Sequence, residues 1–257
     1  MQFCARLHVA CIVAIVAAAP AFADDGPPVT PYRPSVASPA QLPAPGQLEL
    51  EVGGLSEKTD NGRSNSLPYQ LKLAFSEEWG VLLGGDALVS ARDDDGDRHS
   101  GFGDTTVTLK RAFLIDDATG FGIEFTAKAP TAKDSLGSGK SDYTLNGIFS
   151  KDVGDVHMDL NLNATRLGAI DPGTGRTQAG WASSFSTPIS EKWTATGELS
   201  GTHQSGTRNT TLALAALTYS PTPRMAIDFG VAKGLNSASQ DWSFFTGIVV
   251  PIANFRQ

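Results

Sequence analysis

From Gly46 to the C-terminus the chain alternates polar and apolar residues one by one. Gln47-Leu48-Glu49-Leu50-Glu51-Val52 follows this rule, as do Phe121-Gly122-Ile123-Glu124-Phe125-Thr126 and Val156-His157-Met158-Asp159-Leu160-Asn161. A period of two sends successive side chains to opposite faces of a strand. Apolar residues at helical spacing with caps at both ends do not occur in this stretch, so no helix is predicted. The alternating runs predict twelve strands, at 46–56, 66–75, 79–90, 102–114, 120–128, 141–150, 155–166, 177–185, 193–203, 209–219, 225–234 and 241–250. Strands of about ten residues are long enough to cross a bilayer at a tilt. The predicted fold is all-β, a transmembrane antiparallel up-and-down β-barrel of about twelve strands, occupying residues 46–257.

The gaps between runs alternate too. Short turns fall at 76–78, 116–119, 152–154 and 221–224, and longer polar loops at 57–65, 91–101, 129–140 and 167–176. The short loops at 204–208 and 235–240 break the trend. Outer-membrane barrels have short periplasmic turns and longer outer loops. Phe75, Trp79, Phe113, Phe121, Phe149, Phe185, Trp193 and Tyr219 border the short turns, each with the parity of its strand's apolar face. Aromatics gathered at one level are what a membrane interface selects. The expected location is therefore the bacterial outer membrane, with lipid as a partner of the apolar face.

The N-terminus reads differently. Arg6, the apolar run Val9 to Ala19 and the small-x-small site Ala21-Phe22-Ala23 predict a signal peptide over residues 1–23. Its removal takes Arg6 and no acid, so the net charge of -7 becomes -8. It also takes Cys4 and Cys11, the 2 cysteines of the chain, and with them any disulfide or thiol chemistry. Residues 24–45 hold seven prolines and few large apolar side chains, which predicts an extended periplasmic tail or linker. The acidic balance, 27 Asp+Glu against 20 Lys+Arg, argues against a nucleic-acid partner.

Gly101-Phe102-Gly103-Asp104 opening a strand resembles the outer-membrane transporters named for the meta-pathway of phenol degradation. Pro130-Thr131 before a Gly/Ser loop, Gly180 to Ser186, Glu198 in its strand and the closing run Asp241 to Val250 are similar to that family as well. The resemblance covers most of the chain after residue 46 and implies an outer-membrane channel, with small aromatic compounds among its solutes. In one respect the chain departs from barrel proteins, which usually end on an aromatic residue: Phe255 is followed by Arg256-Gln257.

Motifs for catalysis are missing. Gly137-Ser138-Gly139-Lys140-Ser141 ends like a phosphate-binding loop, but Asp134 stands where its first glycine belongs and no helix follows. Asp93, Asp95 and Asp97 alternate like calcium-loop ligands, but Arg98 occupies the glycine position and strands flank the run. His99, His157 and His203 have no His or Cys partner at ligand spacing. The sequence thus predicts no enzyme, no cofactor and no metal. What remains is the polar face. By parity it carries Glu49, Glu51, Lys72, Asp86, Asp104, Lys110, Glu124, Lys128, Asp142, His157, Asp159, Glu198 and Asp228, the candidate lumen-lining set. If the lumen is open, these residues set selectivity for small solutes. If the charges pair completely, a non-conducting structural or surface barrel results. A soluble exported barrel binding a small ligand is the third reading, and the oligomeric state stays open.

Overall fold

The structure is a computed structural model and describes residues 26–59, 62–93 and 96–256. The predicted leader and Asp94-Asp95 of the calcium-like run lie outside the described residues, among which there is no helix. Thirteen strands are described: β1 (Gln47–Thr59), β2 (Gly62–Ala74), β3 (Trp79–Asp93), β4 (Arg98–Gly101), β5 (Thr105–Asp116), β6 (Thr119–Ala129), β7 (Asp142–Val153), β8 (Val156–Arg166), β9 (Thr177–Ser190), β10 (Trp193–Gln204), β11 (Thr210–Thr222), β12 (Met225–Gly234) and β13 (Trp242–Asn254). Consecutive strands pair antiparallel except β4 and β5, which both pair with β3, and β1 pairs with β13 from Gln47↔Asn254 to Lys58↔Trp242. The β1–β13 and β2–β3 ladders close the sheet on itself.

β4 and β5 both lie against β3, through Val89↔Gly101 and Gly85↔Thr105, and together form one interrupted strand of a twelve-stranded barrel. A single strand was expected at 102–114. The break falls at 102–104, where the Gly103 N–H donates to the Asp86 carbonyl (2.9 Å) outside the ladder. In β2, Pro68 lacks an N–H, and the register with β3 shifts between Ser66 and Pro68. The connections at the short-turn end are tight. At the β2–β3 turn the Ser76 hydroxyl accepts from the Trp79 N–H (3.0 Å), and Gly154 supplies φ 60 at the β7–β8 turn.

The polarity of the molecule is inverted. Leu162 is 72% exposed, Phe244 62% and Leu145 57%, while Lys72, Lys110 and Glu49 are 0% exposed. Ile123 and Glu124 are adjacent, one exposed and one buried, as the parity demands. On the outer face near the short turns, Phe121 meets Phe149 (5.1 Å) and Trp193 meets Tyr219 (4.9 Å). Arg111 lies over Trp79 and Phe113 there, its stem along the apolar face and its guanidinium paired with Glu78. Tyr143 stacks on Phe125 toward the opposite rim.

Residues 26–46 differ from the extended tail that their composition predicts. They run inside the barrel, with Tyr32 7%, Ala37 1% and Ala40 0% exposed. The expectation assumed that a segment must bury apolar side chains to be ordered. This one is ordered by its backbone, whose N–H groups find acceptors on the strands.

Candidate functional site

The interior is built from the polar face of the strands and the segment that crosses it near the short-turn end. The segment passes along the wall from β1 to β7. The Thr30 N–H donates to both Glu49 oxygens (3.0 and 3.2 Å), and the Tyr32 and Arg33 N–H groups donate to Glu51 (2.7 and 3.3 Å) on β1. The Arg33 guanidinium grips Asp228 on β12 with two bonds, 2.9 and 3.1 Å. Ser35 meets Ser184 on β9 (2.9 Å), and the Val36 and Ala37 N–H groups share one oxygen of Glu198 on β10 (2.8 and 2.9 Å). The Ser38 N–H donates to Asn161 on β8 (2.9 Å), whose amide returns a bond to the Ser38 carbonyl, and the Ala40 N–H donates to Ser150 on β7 (2.7 Å). Glycines make room: a Cβ on Gly53 or Gly247 would collide with Arg33, and one on Gly80 with Leu42.

Two buried lysines complete the network. Lys72 Nζ binds Glu49 (3.0 Å), Glu51 (2.6 Å) and the Thr30 carbonyl; Lys110 Nζ binds Glu124 (3.1 Å) and the Pro39 carbonyl. Both ammonium groups approach the Tyr32 ring, at 4.2 and 4.1 Å from its centroid. Burial, then the carboxylates of Glu124, Glu51, Glu49 and Asp159, push the Tyr32 hydroxyl well above its usual range, so it is a neutral phenol. Its proton goes to the Gln41 carbonyl (2.7 Å). Glu124 also accepts from Asn146 (3.0 Å).

Toward the long-loop end the interior opens into a cavity of about 710 Å³. Its floor is Tyr32, Arg33 and Ser35 to Ser38, and its walls include Leu55, Glu57, Ser66, Gln70, Asp86 and Asp104. Lys128 bridges Asp104 (2.9 Å) and Asp142 (2.8 Å). Burial raises the Asp104 pKa, but the Ala132 N–H and the Lys128 ammonium outweigh it, and the carboxyl titrates below its ordinary range. Asp142 also accepts the Gly168 N–H (2.8 Å), so these ion pairs tie the loops after β6 and β8 to the rim. Leu136 of the first loop lines the cavity. His157 sits apart at the short-turn end, between Asp152 and Asp159, and Asp159 accepts the Ser150 hydroxyl.

The predicted set therefore divides. Glu49, Glu51, Lys72, Lys110, Glu124, Asp159, Glu198 and Asp228 belong to the network around the crossing segment or its immediate support, whereas Asp86, Asp104, Lys128 and Asp142 face the cavity or its rim. His157 joins the first group through Asp159. Parity could not supply Tyr32, Arg33 and the N–H groups of residues 30–40. One trace existed: nine inward acids faced only three lysines, and an excess of buried carboxylates needs donors from elsewhere.

A closed sheet with an apolar exterior, aromatics at its borders and charge inside defines an outer-membrane β-barrel. The COG4313 outer membrane channel from Pseudomonas putida F1 has the same fold, with TM-score 0.67, 16% identity and coverage of 87% of this chain and 100% of that one. The NanC porin matches with TM-score 0.56 at 11% identity over 80% of this chain and 100% of its own. The CymD monoaromatic hydrocarbon channel does so with 0.51 at 7% over 83% and 90%. A comparison with curated proteins gives no match. The family described as "Putative MetA-pathway of phenol degradation" matches residues 33–251, and the chain belongs to it.

Proposed function

We propose that the barrel is an outer-membrane channel for small solutes, small aromatic compounds among them. The observation that carries this reading is the cavity of about 710 Å³ between the loops and the crossing segment. A barrel serving only as a surface scaffold has no need of an interior that a small solute fills. The name of the CymD channel and the family description favour aromatic solutes. In this reading residues 1–23 are a cleaved leader, the short turns face the periplasm, and the segment 26–46 narrows the periplasmic half. The barrel in this reading holds and passes solute, and His157 is occupied by two carboxylates, Asp152 and Asp159.

Liposome swelling with sugars, amino acids and phenols tests the reading, run on the full chain and on a variant lacking residues 26–41. Swelling by small solutes with the full chain, and faster swelling with the deletion, is the expected result. Heat-modifiable, membrane-inserted barrels that give no swelling in either form would establish the non-conducting alternative.

A further inference from the structure

Lys72 on β2 and Lys110 on β5 are 0% exposed, and each is held by wall carboxylates, Glu49 and Glu51 for the first and Glu124 for the second. The wall thus builds a cradle of two ammonium groups and three carboxylates. Its occupant is an aromatic ring: both ammonium nitrogens stand about 4 Å from the Tyr32 centroid. Cations at that distance are drawn to the π-face, and the attraction is strongest where water is excluded. An aliphatic group in the same place would lack this attraction and leave only the carboxylate and carbonyl partners. The Tyr32 hydroxyl bonds to Gln41 of its own segment, so the part of Tyr32 that the lysines touch is the ring, beside the Thr30 and Pro39 carbonyls. Tyr32 also lines the cavity floor, in the path of a solute arriving from the loop end.

We propose that the Lys72–Lys110 cradle is a binding site for a neutral monocyclic phenol, occupied here by the phenol of Tyr32, with which a free phenol competes. The proposal rests on the channel reading for how the solute arrives. The charge count sets its specificity. Three carboxylates against two ammonium groups leave one negative charge, which repels aromatic carboxylates and accepts neutral rings. Since Tyr32 is tethered, its effective concentration is about millimolar or higher, and competition in the unmodified chain requires phenol in that range. Removing the Tyr32 side chain leaves a ring-sized space that p-cresol, the same side chain in free form, fits.

The test is hydrogen exchange of residues 26–46 in detergent-purified full chain, without ligand and with p-cresol, 4-methylcyclohexanol or 4-methylbenzoate. Tyr32→Ala should speed exchange of the Thr30 and Arg33 amides at least about tenfold. Millimolar p-cresol should return it to within about threefold of the unmodified chain, and the other two compounds should not. In the unmodified chain p-cresol at tens of millimolar should speed exchange, so a misfolded variant does not remove the test. Equal effects of p-cresol and 4-methylcyclohexanol, or no effect of p-cresol, would overturn the proposal. Exchange does not depend on conduction: a barrel that fails to swell liposomes but responds to p-cresol overturns the channel reading alone.

Discussion

The Arg33–Asp228 pair should be the strongest polar tie between the crossing segment and the wall. Asp228 is 2% exposed in its side chain and Arg33 18%, and two charge-assisted bonds of 2.9 and 3.1 Å join them. Breaking such a pair from one side costs about 3–5 kcal/mol in a dry interior. Arg33 borders the cavity, where water can solvate the stranded carboxylate, so Arg33→Ala should cost about 2–3 kcal/mol of segment docking. At 1.36 kcal/mol per tenfold, that is roughly a 30- to 150-fold rise in the opening constant. Hydrogen exchange of the Val36 and Ala37 amides, both bonded to Glu198, reads it. Arg33→Ala combined with Asp228→Asn should cost less than the sum of the two, with a coupling of about 1.5–2 kcal/mol. Gly247→Ala gives an independent check: its Cβ would lie 2.3 Å from Arg33 Nε, which must move away, so exchange should rise while both charges remain. Additivity within about 0.5 kcal/mol, or a silent Gly247→Ala, would refute this anchoring.

Three other outcomes follow from the same geometry. Ile123→Arg, on the lipid face, should cost about 2–4 kcal/mol in barrel stability measured by refolding into lipid. Glu124→Gln should leave the barrel closed but loosen Lys110 and the Pro39 carbonyl it holds; equal loss of barrel from both changes would mean the register is wrong. If the barrel conducts, reversal potentials in a salt gradient should show a cation preference that fades with rising salt. Asp86→Asn at the cavity should weaken it more than Asp159→Asn beneath the segment, and anion selectivity would contradict the charge placement. Finally, the folded pKa of Asp104 is lowered, so its tie to Ala132 and Lys128 is complete above the ordinary carboxylate range and is lost as pH falls through the lowered value. Exchange of the Ala132 amide, corrected for its intrinsic rate, should therefore rise only in strong acid; a rise near neutrality would be inconsistent with that shift.

The strands were legible because burial of one face imposes a period of two, and Ile123-Glu124 or Asn161-Leu162 shows it within two residues. The interruption at 102–104 was not, since Gly103 and Asp104 leave the ladder for bonds to the Asp86 carbonyl and the Ala132 N–H, partners distant in sequence. Residues 26–46 escaped for a deeper reason. Hydropathy records what side chains prefer, whereas Thr30, Val36, Ala37 and Ala40 are held by main-chain N–H groups that every residue except proline possesses. The prolines in this segment leave fewer such groups and stiffen the path between them. Tyr32 and Arg33 were visible as letters, but nothing in the alternation places them against Lys72, Lys110 and Asp228, which lie far along the chain.

The seam between β1 and β13 carries a kinetic consequence. Every other pair of neighbours in the wall is consecutive in the chain, whereas this ladder joins the first strand to the last. Contacts so remote in sequence form slowly. Residues 26–46 are joined directly to β1, and their acceptors lie on strands from β1 to β12. While the seam is still open, the sheet is a trough, and the chain's beginning can settle along it from the side. Threading through a finished ring would instead require each strand-borne acceptor to be found from one end. The order of assembly that the topology favours is to lay the cord first and roll the sheet around it.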